Sequence, residues 1–326
     1  MPTKQLVQVA SRLVSRLAGS NGRRVDRPSE QLPGRGASTP EGVRVTYRKM
    51  EFEFESRGFE RRWHSDSTFI SGFWNALSSA FPAGERFFID AANSVRDRID
   101  DPVLREELSE FLRQESHHIV QHKKFNRMVA EQGFDMKTYE ARYAIPLQAA
   151  AAQLKPMQKM AVTVALEHFT AVFAHQVLTN PAVIGGADPC VLALWSWHFM
   201  EELEHKATCF EAYERLGGSY VTRVKAAGPA WQLYLLLAVR SALSMLREDG
   251  RSLDPREYAR GLWYLFGPSG FVTSMIPGLL DYFRPDFHPW QFDDSNLIAN
   301  WQLRNNPHVR SMQVFSRQPE VQTASA

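Results

Sequence analysis

ESHHIVQHKKFN (residues 115–126) and HFMEELEHKATCFEAY (198–213) each hold a glutamate followed three positions later by a histidine, Glu115/His118 and Glu202/His205. Successive helical residues are turned by about 100°, so partners three apart lie roughly 60° from one another on one face. Each pair can therefore aim two side chains at a single ion. Upstream of each pair another glutamate stands in an apolar, helix-patterned segment: Glu85 in NALSSAFPAGERFFI (75–89) and Glu167 in MAVTVALEHFTAVFAHQVL (160–178).

One Glu-x-x-His on a helix is common and usually a solvated face. Two copies, each with a preceding glutamate on an apolar helix, are a different matter. Glu167 is the sharpest case, because its surroundings are almost free of charge and a buried carboxylate there is costly unless paired or metal-bound. Four carboxylates and two imidazoles in this order form the ligand set with which a four-helix bundle holds two metal ions. Glutamate oxygens are hard ligands, and imidazole suits iron, manganese and zinc alike. Iron is the leading expectation for the two ions, with manganese and zinc as alternatives.

Helix signals frame these residues. Apolar periodicity runs over 68–99, 102–131, 156–179 and 188–216, with Asp101-Pro102, Pro156 and Asp188-Pro189 as starts and Gly133 and Gly217-Gly218 as stops. These four segments are expected to form the bundle, with further helices at 219–248 and 255–266. Before them, VRVTYRKMEFEFES alternates at Val43, Val45 and Tyr47 and again at Met50, Phe52 and Phe54, which predicts extended segments packed on the outside. Residues 1–18 read as a basic amphipathic helix with Leu6, Val9, Leu13 and Leu17 on one face, 19–41 as a flexible linker, 43–307 as the metal-binding helical domain and 308–326 as a disordered tail.

Composition narrows the function classes. Hydrophobic residues make up 44% and the formal net charge is +2, so the chain is globular and carries no global field for nucleic acid. Residues 1–49 nevertheless hold ten Lys/Arg against three Asp/Glu. That basic stretch and the apolar run at 230–246 raise peripheral contact with an anionic membrane, against the plainer reading of a mobile basic extension. Two cysteines, Cys190 and Cys209, are too few for a disulfide framework, and no secretory signal is visible, so a cytoplasmic location is expected.

Among the neighbours of the motifs, Glu201 is a candidate catalytic base beside a metal-bound water. Glu204 lacks the spacing to His205 that singles out Glu202. His122, one turn beyond His118, reads as a donor behind the ligands or a ligand itself. Asp90 and Asp97 could orient ligand histidines or sit on a solvated face, and His117, His168, His175 and His288 suit packing or the surface. Phe87, Phe88, Phe111, Phe169, Phe173, Trp195, Trp197 and Phe199 could line a pocket, although core packing is the plainer reading of them.

On MEFEF (50–54), NALSSAFPAGERFFI (75–89), ESHHIVQHKKFN (115–126), ALEHFTA (165–171), HFMEELEHKATCFEAY (198–213) and FRPDFHPW (283–290), the chain resembles the predicted metal-dependent hydrolases, a ferritin-like group. The resemblance covers about residues 43–300. It implies an all-α fold: a ferritin-like four-helix bundle with two additional C-terminal helices and an extended N-terminal segment. More distantly, His198-x-x-x-Glu202-x-x-His205 looks like the last helix of the di-iron arylamine N-oxygenases, which use a third histidine. Carried over, that implies a set of seven ligands: Glu85, Glu115, His118, Glu167, His198, Glu202 and His205.

The two resemblances imply different chemistry. The leading expectation is a di-iron enzyme that activates dioxygen to oxidise a small apolar or aromatic substrate, with an electron donor as partner and a homodimer as the assembly. The alternatives are a hydrolase using a metal-activated water and a non-enzymatic metal-binding bundle.

Overall fold

The computed structural model describes residues 39–305. The expected N-terminal amphipathic helix, all but the end of the linker and the C-terminal tail lie outside the described residues. Within them the protein is α-helical without a β-strand, and an isolated antiparallel bridge joins His64 to Ala187. The all-α expectation holds.

The helices are α1 (Phe54–Arg57), α2 (Thr68–Arg96), α3 (Pro102–Glu131), α4 (Met136–Gln153), α5 (Pro156–Thr179), α6 (Pro181–Ile184), α7 (Pro189–His205), α8 (Thr208–Arg215), α9 (Tyr220–Glu248), α10 (Pro255–Phe266), α11 (Phe271–Asp281) and α12 (Ser295–Asn305). Many begin by the same chemistry. A side-chain oxygen of Asp101, Asn180, Asp188 or Asp254 accepts from a free backbone N–H of the first turn, and a proline without an N–H follows it. Ser67 and Asp135 cap α2 and α4 without the proline.

Four helices form a closed ring, with α2 against α3, α5 against α7, α2 against α5 and α3 against α7. Outside the ring α9 packs on both α2 and α5, and α4 lies along α2. Helix α5 is enclosed on nearly every side, which explains its all-round apolar sequence. By length and composition it could cross a membrane, yet 78% of its most apolar window is buried inside the protein.

Three departures from the expected elements have local causes. Residues 188–216 form two helices, because α7 ends at His205 and α8 starts at Thr208. At the break the Lys206 ammonium turns inward, 2.6 Å from Asp294 and 4.1 Å from the centre of the Trp290 ring. Helix α4 was not expected, since its exposed and half-buried positions give only a faint apolar stripe and Pro146 interrupts it. The region after 266, where no further helix is expected, holds α11, a short 3-10 turn and α12. Arg223 anchors that region by donating to the carbonyls of Tyr282 and Arg284 beneath aromatic rings.

The segment before α1 packs outside the ring, although it forms no strand among the described residues. It crosses α3 and α7, with Gln114 and Gln121 donating to the carbonyls of Thr46 and Met50. Arg48 descends from this strap into the protein.

Candidate metal centre

The ring brings Glu85 from α2, Glu115 and His118 from α3, Glu167 from α5, and His198, Glu202 and His205 from α7 into one buried cluster. Their ligand-type atoms fall into three overlapping groups: Glu85 with His118 and His198, Glu115 with His118 and Glu202, and Glu115 with Glu167 and His205. Within each group the atoms lie within 4.8 Å of one another. His118 Nδ1 is 3.6 Å from Glu115 and 3.8 Å from Glu202. His205 Nε2 is 3.4 Å from both Glu115 and Glu167 and 3.6 Å from Glu202. His198 Nε2 lies 3.0 Å from Glu202 and 3.8 Å from Glu85, and its ring stacks on that of His118 at 4.1 Å.

Each histidine is held from behind by a hydrogen bond that decides which nitrogen faces inward. Glu201 Oε2 accepts from His118 Nε2 at 3.0 Å, which leaves Nδ1 toward the cluster. The Gln114 amide donates through Nε2 to Thr46 O and Glu204, so its Oε1 must accept from His205 Nδ1 at 2.9 Å and leave Nε2 inward. The third case is a chain. Asn126 Nδ2 donates to the Glu140 carboxylate at 2.8 Å, so Asn126 Oδ1 accepts from the Ser78 hydroxyl. Ser78 Oγ in turn accepts from His122 Nδ1, and His122 Nε2 accepts from His198 Nδ1 at 2.7 Å. His198 Nε2 is then a lone pair facing the Glu202 carboxylate. His122 thus stands behind a cluster histidine, one of the two roles open to it. Pro82 supports the chain, since it cannot donate to Ser78 O four residues back, and Asn126 Nδ2 reaches that carbonyl at 3.4 Å.

Three inward imidazole nitrogens and four carboxylates meeting away from water need positive charge between them. Both oxygens of Glu85, Glu115 and Glu167, one oxygen of Glu202, His118 Nδ1 and His205 Nε2 are buried without a hydrogen-bond partner. A native interior rarely leaves such groups unsatisfied, and a donor set of this kind calls for cations. Burial, reinforced by neighbouring carboxylates, pushes Glu85 and Glu167 well above the ordinary carboxylate range. Burial also raises Glu115, and with the charge of His118 it lowers His198 to about 3. For His118 burial opposes the charge, but the neighbouring carboxylates of Glu115 and Glu201 outweigh it and hold its pKa well above the usual value. The donor set, all carboxylate and imidazole, fits two hard or borderline cations.

Glu201 does not sit where a base for metal-bound water would. One of its oxygens is engaged by His118 and the other faces Arg48 at 3.4 Å. Arg48, invisible to spacing rules because it is 153 residues away in sequence, also forks onto Glu204 at 2.7 and 2.8 Å. Gln302 of α12 completes Glu204 at 2.9 Å. The orienting role considered for Asp90 and Asp97 belongs instead to Glu201, Gln114 and the Asn126 chain. Asp97 is the C-cap of α2, and Asp90 lines a surface cleft. His117, His168 and His175 bond to Met50, Gly278 and Asp294. Of the eight aromatic residues considered for a pocket, Phe88 and Phe169 line a cavity, while Phe111 and Trp197 brace His205 and His118 edge-on at 4.9 and 4.8 Å.

A family model described as predicted metal-dependent hydrolase matches residues 46–293. No curated protein and no solved structure matches the chain. The matched span contains all seven clustered residues, their three rear partners and Arg48, and the chain belongs to the predicted metal-dependent hydrolases.

Proposed function

We propose that this metal-dependent enzyme holds two metal ions, iron foremost, and activates dioxygen to oxidise an apolar substrate. The observation that carries the reading is the set of buried carboxylate and imidazole atoms left without partners at the centre of the ring. Glu85, Glu115, His118, Glu167, His198, Glu202 and His205 would hold the ions, with the atoms of Glu85, His118 and His198 close enough to share one and those of Glu115, Glu167 and His205 close enough to share another. Two iron ions there would supply the electrons that dioxygen needs for reduction.

The protein's own residues set the conditions for that chemistry. Glu201, Gln114 and the His122–Ser78–Asn126 chain orient the three imidazoles and turn one nitrogen of each toward the cluster. Phe81, Phe111 and Trp197 surround those rings and exclude water. The overall reaction balances as insertion of one oxygen atom into a C–H bond, with the second leaving as water. It draws two electrons from an external reductant and takes up two protons.

The family description favours a second reading, hydrolysis by a metal-activated water. Against it stands the engagement of both Glu201 oxygens, one by His118 and the other by Arg48. The discriminating experiment mixes the reduced, iron-loaded protein with oxygenated buffer. The proposal expects oxygen uptake and a changed optical spectrum. An unchanged spectrum, with ester cleavage by the zinc-loaded protein, would establish hydrolysis instead.

A further inference from the structure

Half of the exposed large apolar side chains among the described residues fall between Leu253 and Leu280, on and around α10 and α11. The helical period decides which way they point. Glu257, Gly261, Tyr264 and Leu265 form the buried stripe of α10, and Gly261 sits so close to α2 that a Cβ there would lie 2.3 Å from the Phe69 ring. The opposite stripe carries Leu262, Trp263 and Phe266, and Trp263 is 71% exposed. Helix α11 repeats the arrangement. Its Phe271 and Met275 are buried and Gly278 lies against Val172 of α5, while Ile276 and Leu280 face outward. Helix α10 rests on α2 and α11 on α5, neighbours in the ring, and the two pack on each other, so their outer stripes adjoin on one side of the protein. An apolar patch of this kind on a soluble surface marks a place of contact.

One edge of the patch is basic. Arg256 and Arg260 precede Trp263 at helical spacing, both exposed, and neither guanidinium meets an acid among the described residues. The acids nearby in sequence are already engaged: Asp249 by Arg61 at 2.8 Å, and Asp254 and Glu257 by Arg251 at 3.6 and 3.4 Å. Residues 1–38, outside the described part, add seven Lys/Arg against two Asp/Glu.

We infer that the α10–α11 face seats the protein on an anionic lipid bilayer. Leucine and aromatic side chains would enter the boundary between headgroups and acyl chains, and the two unpaired arginines beside them would meet lipid phosphates. Charge argues against the other occupants. A self-complementary dimer through this face would bring both pairs of unpaired guanidiniums into one interface. The chain's own N-terminal segment is basic, like the face it would have to cover. The apolar run at 230–246, considered above for membrane contact, is not the surface, because Trp231, Leu237, Ala238 and Ala242 of α9 are buried. The inference is independent of the chemistry at the metal centre.

The test is co-sedimentation of the metal-loaded full chain with vesicles of phosphatidylcholine alone and of phosphatidylcholine and phosphatidylglycerol in equal parts. Expected is partitioning to the anionic vesicles at least about tenfold stronger than to the neutral ones, falling as salt is raised. Trp263→Ser should weaken it about tenfold or more and Leu280→Ser about fivefold, through lost apolar contact, with metal content unchanged. Arg256→Gln should weaken it about fivefold on anionic vesicles only, the effect of one basic residue at a charged surface. Trp263 and Leu280 are on different helices, so either variant decides should the other fail to fold. No partitioning to anionic vesicles would overturn the inference. So would partitioning that both serine variants leave unchanged, which would pass the role to the N-terminal residues. Sedimentation velocity reads the remaining occupant: a dimer that Trp263→Ser converts to monomer, without vesicle binding, would assign the face to a second copy instead.

Discussion

Two groups of buried glutamates meet at α7, and their surroundings differ in kind. Glu201 and Glu204 are fully partnered: Arg48, Gln114, Gln302 and His118 engage their oxygens. Glu202, between them in sequence, belongs with Glu85, Glu115 and Glu167, whose inner oxygens meet only one another and imidazole nitrogens. All six are almost wholly inaccessible to water. Burial therefore does not separate an acid that holds the fold from one that awaits a ligand; the presence of an opposite charge does. The first group stabilises the protein as it stands, whereas the second burdens it until cations arrive.

That contrast predicts opposite consequences for like substitutions. The largest effect belongs to the unpartnered group. Glu167→Gln should drop the metal content from two ions per chain to one or none, while the melting temperature of the metal-free protein stays constant or rises. Elemental analysis with calorimetry on metal-free protein checks both halves. A metal-free variant markedly less stable than wild type would mean that Glu167 is already satisfied. Glu204→Ala should do the reverse, leaving metal content intact and costing about 3–5 kcal/mol, because Arg48 loses its forked partner inside the protein. Denaturant titration measures that loss, and an emptied centre in this variant would place the wrong glutamate of α7 in the cluster.

A smaller effect probes the rear of the centre. Ser78→Ala breaks the chain that fixes the His198 tautomer without touching a clustered residue, and it should weaken metal binding by about tenfold or more. Competition against a chelator gives the number, and unchanged affinity would show that His198 needs no such support. The smallest signal is in protons. Glu85, Glu115 and Glu167 are raised in the metal-free protein, so they hold protons above the ordinary carboxylate range, and ions must displace them. Loading in weakly buffered solution should acidify it, and affinity should fall as the pH is lowered. Loading without proton release would contradict the assigned directions.

Much of the architecture is legible along the chain because its signals are local. Asp-Pro starts, glycine stops and the i, i+3 spacing of Glu115/His118 and Glu202/His205 depend on neighbours within a turn or two. Glu167 stands out for the same reason, as a charge in an apolar run. What the sequence conceals depends on distant partners. Arg48 meets Glu201 and Glu204 only after the strap crosses α3 and α7, so nothing near Glu201 reveals that its oxygens are engaged. Helix α4 carries little amphipathic pattern because it touches the bundle through few buried positions, Met136, Tyr139, Tyr143 and Pro146. The break at Lys206 has no proline or glycine to announce it and follows from the inward turn of that ammonium toward Asp294.

The central claim is that the unpartnered glutamates and histidines exist to hold two ions. The direct measurement is the number of metal ions per chain in the full-length protein, as purified and after anaerobic reconstitution with ferrous iron. The account predicts close to two. A protein that stays folded yet binds none under either condition would contradict it.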